Sequence, residues 1–316
     1  MTQHTGIGLA NGKIILLGEH SVVYHQPSIA IPFPAVTIKT SVTAQQDKTT
    51  IDCDFYHGIV DEMPELLESL KETIRVCTKR LNQEETPLAI TIESSIPAER
   101  GMGSSAAVAV ATTRAIYDYF NATLTQDELL EIVDIAEKIA HGNPSGLDAL
   151  MTSSSTPFYY IKGQPFQPIT PNLNAYLIVA DTGVTGQTKE AVASVAEKLN
   201  GVDGPEYQAI INRLGELADL GRFALENNQC TELGSYMTEV HQLLTDLGVS
   251  NNALNTLVQA ALNTDALGAK LTGGGRGGCM IALAQDKLHA ERIQDSLLNA
   301  GAKNTWLHEM SVKNGK

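Results

Sequence analysis

Two charged side chains stand where the surrounding pattern favours apolar residues. Glu137 falls within the apolar stripe of a helix expected over residues 126–140. A carboxylate that faces inward is costly unless it meets a cation or a metal. Lys13 lies near the start of the apolar run 12–17 (GKIILL), which is typical of a buried strand. Each of the two residues is therefore a candidate for a buried pair or for a functional site, although Lys13 taken alone also fits the exposed end of a strand.

A third charged residue, Asp148, ends the segment 141–148 (HGNPSGLD), which is rich in turn-forming residues. Taken alone, these residues have two simpler interpretations. Asp148 can cap a following helix, and His141 can complement the carboxyl end of the preceding one.

A loop of small residues, 101–107 (GMGSSAA), joins a predicted strand to a predicted helix. Gly101 and Gly103 let the backbone approach an anion, and the start of the helix supplies free N–H groups and the positive end of its dipole. The hydroxyls of Ser104 and Ser105 can bind a phosphate oxygen or Mg²⁺. The loop therefore predicts a phosphate site, with a tight turn capped by serine as the simpler interpretation.

Two better-known phosphate-binding patterns do not fit this loop. A dinucleotide-binding fold requires a second strand that ends in an acidic residue about 20 positions further on. The chain instead continues as a helix, a short turn and a second helix. The pattern of the P-loop is absent from the sequence.

A second glycine cluster, 272–278 (TGGGRGG), lies between two short predicted strands. A hairpin needs fewer glycines than this segment contains. The excess predicts that the backbone packs closely against a ligand or against the first glycine loop. A flexible hairpin loop is the alternative.

Hydrophobic periodicity places these segments on alternating strands and helices. A proline-rich break at 163–173 divides them into two α+β domains, 1–172 and 173–316. The predicted strands cover 13–17, 35–42, 88–93, 158–161, 175–180, 269–272, 279–284 and 305–308. The predicted helices cover 65–81, 105–120, 126–140, 189–199, 205–227, 231–247, 252–263 and 287–300.

The composition excludes several classes of partner. The chain has 316 residues, and 36 acidic against 22 basic residues give a formal net charge of −14. Such a surface repels nucleic acid and anionic lipid. Neither a secretory signal nor an apolar stretch able to span a membrane is recognisable.

The cysteines and the remaining histidines carry no motif. The cysteines are far apart, which favours buried thiols and a cytoplasmic location over disulfides or a zinc site. The histidines outside the motifs are expected on the surface. These residues are Cys53, Cys77, Cys230 and Cys279, and His4, His57, His241, His289 and His308.

Three motifs in order along the chain resemble those of the GHMP kinase superfamily. They are 12–24 (GKIILLGEHSVVY) with 27–30 (PSIA) behind it, 97–107 with its glycine loop, and the segment from 270 (KLTGGG) onward. The first motif and 141–148 are similar to the mevalonate kinase family in particular. The resemblance implies a two-domain α+β fold. A ribosomal protein S5 domain 2-like N-terminal domain and a ferredoxin-like C-terminal domain would enclose the active site in a cleft.

The resemblance also implies an activity, in which ATP phosphorylates the primary hydroxyl of mevalonate to give 5-phosphomevalonate. Asp148 would be the base or orienting carboxylate, and Lys13 the cation beside it. Glu137 would ligate Mg²⁺ together with a serine, Ser105 being favoured over Ser104. Mevalonate would lie near Glu19 and His20, and ATP would be bound by Pro97, Gly101, Gly103, Ser104, Ser105 and Ala106.

Four residues depart from the family's usual pattern. Glu99 replaces a glycine, Met102 replaces a leucine, and Ala149 stands where many relatives have asparagine. Arg276 interrupts a loop that is usually made of small residues, and we expect it either to contact an anionic ligand or to point to solvent. The phosphate loop should tolerate the first two changes because Gly101 and Gly103 remain.

Other functions within and outside this enzyme class remain as alternatives. The chain could be another GHMP kinase, acting on phosphomevalonate or homoserine. A catalytically silent regulatory protein of the same fold is disfavoured because Lys13, Glu137 and Asp148 are all present. A homodimer and feedback inhibition by a pathway diphosphate are compatible with the resemblance. Because the net charge opposes anionic substrates, the site is expected to be locally positive.

Overall fold

A computed structural model describes residues 4–142 and 144–310. The chain forms two compact units that are assembled from interleaved segments. Unit 1 comprises Met1–Lys13, Pro32–Ala98 and Gly103–Ser155, and unit 2 comprises Ile14–Ile31, Glu99–Met102 and Thr156–Lys316. The sequence predicts contiguous domains instead, 1–172 and 173–316. The difference arises because the two long strands β1 (Gly6–Leu17) and β2 (Pro27–Ala44) each contribute residues to both units.

Unit 1 combines a sheet with a set of helices that pack on one another. The strand order β4-β3-β5-β2 pairs β3 with β5 in parallel and the other neighbours antiparallel. The strands of this order other than β2 are β3 (Thr50–Cys53), β4 (Tyr56–Ile59) and β5 (Leu88–Ser94), and β1 also pairs with β2. The helices are α1 (Glu68–Arg80), α2 (Ser104–Tyr119), α3 (Gln126–His141) and α4 (Leu147–Ser153).

The strands of unit 2 belong to two different sheets. Residues 27–30 of β2 pair with β6 (Phe158–Ile161), which pairs with the short β7 (Gln167–Pro168). A separate antiparallel sheet has the order β11-β8-β10-β9. Its strands are β8 (Tyr176–Asp181), β9 (Gly268–Thr272), β10 (Cys279–Ala284) and β11 (Asn304–Glu309).

Helices link and cover the second sheet. They are α5 (Thr188–Leu199), α6 (Gly204–Glu226), α7 (Cys230–Asp246), α8 (Asn252–Leu262) and α9 (Lys287–Asn299). Helices separate β8 from β9, and α9 separates β10 from β11. This order is ferredoxin-like, as the resemblance implies. Every residue of β9 and β10 is buried, which explains the continuous apolar sequence of β10, whereas β9 also buries the polar residues Lys270 and Thr272.

Most predicted elements are confirmed to within a few residues, but the predicted strands 13–17 and 35–42 cover only part of β1 and β2, which begin at Gly6 and Pro27. The elements that were missed entirely are short. The helix α4 was missed because it has only seven residues and follows a proline and two glycines. Gly146, with φ 76°, is its N-cap, so Asp148 lies in the first turn of the helix and is not the cap. Thr125 caps the start of α3, since its hydroxyl accepts a hydrogen bond from the Glu128 N–H at 3.2 Å.

The predictions about cysteines and histidines are partly confirmed. All four cysteines are free, and Cys230 alone among them is half-exposed. The expectation of surface histidines is wrong for His241 and His289, which are buried. In the described part of the chain, no helix is both long and apolar enough to cross a membrane.

The buried His241 makes stability depend on pH. Its Nδ1 accepts a hydrogen bond from the Leu271 N–H at 3.2 Å, and its Nε2 donates to Asn255 Oδ1 at 3.1 Å. Burial lowers the pKa of His241 from 6.5 to about 4, and the charge of Lys270 acts in the same direction. The unfolded chain therefore binds a proton on this imidazole at a pH where the folded protein does not. The free energy of unfolding is expected to fall as the pH decreases between these two pKa values.

Replacement of His241 by Asn tests this expectation, because the amide oxygen can still accept from the Leu271 N–H. Urea unfolding between pH 6.5 and 4 should show a pH slope reduced by up to about 1.4 kcal/mol per pH unit, the contribution of one proton. His25→Asn is the control, since His25 is exposed. An equal slope in wild type and His241→Asn would contradict the assignment.

Candidate active site

Lys13 and Asp148 form an ion pair within unit 1. Lys13 Nζ lies 3.0 Å from Asp148 Oδ1, and the side chains are 6% and 36% exposed respectively. Lys13 is thus buried and is not the exposed end of a strand. Asp148 keeps one side open to solvent, so a ligand can approach it while Lys13 holds it in place.

Gly103 makes the path of the lysine possible. It has φ 75°, and a Cβ at this position would lie 2.9 Å from Lys13 Cγ and 3.1 Å from Thr152 Cγ2. A larger residue would therefore clash with the lysine stem and would also be strained at this φ. The glycine thus brings the stem of Lys13 against the start of α2, where Ser104 and Ser105 lie.

A second pair, Ser105 and Glu137, lies in the same unit. Ser105 Oγ donates to Glu137 Oε1 at 2.8 Å, and Glu137 is 4% exposed. Burial raises the pKa of Glu137, and the negative charge of Asp148 raises it further. The bond from Ser105 and the charges of His141 and Lys13 lower the pKa of this carboxyl. The inward position of Glu137 on α3 is therefore confirmed.

The four side chains form one cluster, which we call the unit 1 cluster: Lys13, Ser105, Glu137 and Asp148. The stem of Lys13 lies against Gly103, two residues before Ser105, and the charges of Lys13 and Asp148 both act on the pKa of Glu137. The cluster can accept a proton, hold a divalent cation and direct a hydroxyl and helix N–H groups toward a phosphate.

The other residues predicted to contact nucleotide divide between the units. Pro97 is half-buried in unit 1, and Ala106 is buried in the first turn of α2. Gly101 belongs to unit 2 and has φ 77°. A Cβ added to Gly273 would lie 3.3 Å from Gly101 Cα, so the two glycine segments pack closely against each other. This confirms the prediction that the second glycine cluster packs against the first glycine loop.

Glu19 and His20 lie in unit 2 and have defined partners there. The Glu19 side chain is fully buried and forms an ion pair with Lys270. That Glu19 lies beside a substrate stays a prediction. His20 Nε2 donates to the Gly274 carbonyl oxygen at 3.0 Å. Burial lowers the pKa of His20 to about 4, so the imidazole is neutral near pH 7.

Two basic residues acquire definite positions only in the structure. The sequence analysis did not single out Lys270, although a lysine between apolar neighbours in a strand gives the same signal as Lys13. Arg276 has φ 55°, its N–H donates to the Val249 carbonyl at 2.7 Å, and its Nε donates to the Gly248 carbonyl at 3.3 Å. Arg276 therefore anchors the second glycine cluster to the turn between α7 and α8.

A metal ion in this protein would need ligands other than a cluster of protein side chains, as far as the described residues show. Across residues 4–142 and 144–310, no group of three or more His, Cys, Asp or Glu side chains could hold a metal ion. A cation bound by Glu137 would therefore need other oxygen ligands, such as a hydroxyl, phosphate or water. Asn143, in the motif that ends at Asp148, lies outside the described residues.

The comparisons with family models, with curated proteins and with solved structures all point to the same family. The models of the GHMP kinases N terminal domain and the GHMP kinases C terminal domain match residues 68–155 and 211–303. A mevalonate kinase of Pyrococcus horikoshii is 34% identical over 87% of each chain. Among solved structures, a mevalonate kinase from methicillin-resistant Staphylococcus aureus is 35% identical, with a TM-score of 0.77 over 97% of this chain and 99% of that one.

A second solved structure is similar over a comparable length. The L. major mevalonate kinase in complex with R-mevalonate is 25% identical, with a TM-score of 0.84 over 98% of this chain and 97% of that one. Both family domains are matched in order, and the relatives align along nearly the whole chain. The chain therefore belongs to the GHMP kinase family.

Proposed function

We propose that the protein catalyses the ATP-dependent phosphorylation of mevalonate to 5-phosphomevalonate. The observation that carries this proposal is the ion pair between Lys13 and the partly exposed Asp148, beside the hydrogen-bonded pair of Ser105 and Glu137. Such an arrangement suits phosphoryl transfer to an alcohol, in which positioning and charge neutralisation dominate. The mevalonate kinases among its relatives support the choice of alcohol.

Asp148 is proposed to orient the primary hydroxyl of mevalonate and to accept its proton. The hydroxyl oxygen forms a bond to the γ-phosphorus of ATP, while the bond from that phosphorus to the bridging oxygen breaks and ADP leaves. Lys13 donates to Asp148, and this charge-assisted hydrogen bond fixes the orientation of the carboxylate. Lys13 and the N–H groups at the start of α2 can stabilise negative charge on the phosphoryl oxygens.

The unit 1 cluster also fits Mg²⁺. Glu137 is a buried carboxylate whose pKa is raised, so a cation bound beside it would stabilise its ionised form. Ser105 places a hydroxyl oxygen next to it at 2.8 Å, and Mg²⁺ prefers such hard oxygen ligands together with water and phosphate. Bound Mg²⁺ would neutralise charge on the ATP phosphates.

A substrate comparison tests the proposed function. ADP release by the purified protein with Mg-ATP should be fastest with mevalonate when phosphomevalonate, homoserine and galactose are compared at equal concentration. Activity on one of the other compounds and none on mevalonate would overturn the proposal. If none of the four compounds causes ADP release, the alternative of a catalytically silent regulatory protein is favoured.

Replacement of Ser105 by Ala tests which serine supports the metal. Since Ser105 Oγ contacts Glu137, the Mg²⁺ concentration for half-maximal activity should rise about 10-fold, as is usual when a ligand or its hydrogen-bonded partner is lost. Ser104→Ala is the matched control, because Ser104 is the neighbouring residue on α2. A larger rise for Ser104→Ala than for Ser105→Ala would reverse the assignment. The measurement is the ADP-release rate at fixed ATP with varied free Mg²⁺.

A further inference from the structure

His20 occupies a strained backbone position in unit 2. Its φ and ψ are 61° and −43°, and the Ser21 N–H donates to the Glu19 carbonyl at 2.7 Å, which closes a three-residue turn around His20. A turn of this hand is rare and strained, and a positive φ is unfavourable for any residue except glycine. Such a conformation persists only where the surrounding structure enforces it.

The side chains of the turn itself offer little support. Ser21 is fully buried, and its hydroxyl has no hydrogen-bond partner within the described part of the chain. The 3₁₀ turn Ser21–Tyr24 begins without a side-chain cap. Two local backbone bonds, from the Val22 N–H to the Gly18 carbonyl and from the Val23 N–H to the His20 carbonyl, both at 3.2 Å, span and follow the turn. Side-chain support for His20 must therefore come from residues that are distant in sequence.

Strand β9 and the residue segment after it provide that support. Lys270 on β9 pairs with Glu19, and Gly274 accepts the hydrogen bond from His20 Nε2 at 3.0 Å. Thr272 Oγ1, at the end of β9, donates to the Ile15 carbonyl of β1 at 2.8 Å. The segment that leads into the turn, the residue before His20 and the His20 imidazole are thus each bound to the same short stretch of chain.

The ion pair between Lys270 and Glu19 is completely buried from solvent. Both side chains are fully buried, and Lys270 Nζ also donates to its neighbouring Leu271 carbonyl at 2.6 Å. A buried ion pair is weak evidence for stability, because desolvation offsets its Coulomb energy and apolar residues can often replace it. A pair retained at this position is better explained by a geometric role, and the residue adjacent to Glu19 is the strained His20.

We propose that Lys270 is a positioning residue that holds His20 in its strained turn through Glu19 and so fixes the imidazole for binding of mevalonate. Lys270 does not touch the substrate in this scheme. Glu19 acts as its counter-ion and links the two residues. The kinetic part of this inference rests on the proposed function, whereas the conformational part does not.

The conformational part is tested by NMR of protein labelled with ¹⁵N-histidine. The His20 imidazole signals are assigned by their loss in His20→Gln. In Lys270→Met, and in the charge-neutral Glu19→Gln/Lys270→Met double variant, those signals should move toward the shifts of an exposed histidine, and the pKa of His20 should rise from about 4 toward 6.5. Leu297→Ala is the matched control, since Leu297 is a fully buried residue of α9 in the same unit.

A thermodynamic cycle tests whether the ion pair supports the turn itself. Glycine adopts a positive φ without strain, so His20→Gly removes the need for support. The loss of melting temperature caused by the Glu19→Gln/Lys270→Met double variant should be smaller in the His20→Gly background than in wild type. Equal losses in the two backgrounds would overturn the inference, as would His20 signals that stay at their wild-type positions.

The kinetic part is tested by the separate KM values. The double variant should raise the KM for mevalonate by about 10- to 100-fold, the range expected for a misplaced binding group, with little change in the KM for ATP. A change in the KM for both substrates, matching that of Leu297→Ala, would reduce Lys270 to a structural residue. If the wild-type protein does not phosphorylate mevalonate, the proposed function fails, and the NMR and melting experiments still decide the support of His20.

Discussion

Replacement of Asp148 by Asn is expected to lower kcat for mevalonate phosphorylation by about 10²- to 10⁴-fold, the usual contribution of a positioned acid or base. The amide has nearly the same shape as the carboxylate, but it cannot accept the proton of the substrate hydroxyl. Since Asp148 is 36% exposed and Lys13 is 6% exposed, the carboxylate is the member of the pair that a substrate can reach.

The measurement combines ADP release with nucleotide binding. ATP affinity, measured by calorimetry, should stay close to that of wild type, because the proposed role of Asp148 concerns the alcohol. Asp134→Asn is the control, since Asp134 lies on α3 in the same unit and pairs with Lys138 on the surface. A kcat for Asp148→Asn within a few-fold of Asp134→Asn would contradict the proposed role.

Replacement of Lys13 by Met is expected to lower kcat by about 10²- to 10³-fold, comparable to the loss of one group that stabilises charge in a transition state. Methionine keeps the apolar stem that packs against Gly103 while removing the cation. The change also leaves Asp148 without its ion-pair partner, so the carboxylate is less firmly oriented.

The double variant separates these effects. Because Lys13 and Asp148 act as a unit, the Lys13→Met/Asp148→Asn protein should be little slower than the slower single variant. Lys39→Met is the control, since Lys39 forms an exposed ion pair with Glu93 in the same unit. Losses of kcat that multiply in the double variant would show that the two residues act independently. Melting temperatures of all variants show whether a loss of rate reflects unfolding.

Much of the local structure follows from hydrophobic periodicity. The strand β10 matches its predicted range because it is a continuous apolar run that follows a glycine cluster, and α3 differs by one residue because a long helix with a periodic apolar stripe carries a strong signal. The strands β3 and β4 were missed because each is short and includes polar residues. The interleaved make-up of the two units was also missed, since no local pattern reveals that a single strand serves two cores.

The sequence alone also indicated the chemistry of the site. A carboxylate in an apolar stripe and a lysine in an apolar strand each conflict with their surroundings, and such conflicts occur at functional sites. They marked Glu137 and Lys13 as candidates before any contact was known, and the glycine loop marked Ser104 and Ser105. The same rule applied to Lys270 would have marked it too.

Only the tertiary structure decided which of these residues act on one another. It pairs Lys13 with Asp148, Ser105 with Glu137, and Glu19 with Lys270. These partners are separated by up to 251 positions along the chain, so their pairing depends on how strands and helices pack. Residue type determines which interactions a side chain can make. Packing determines which partner is within reach and which charge is buried, because two side chains that are distant in sequence interact only where the fold places them next to each other.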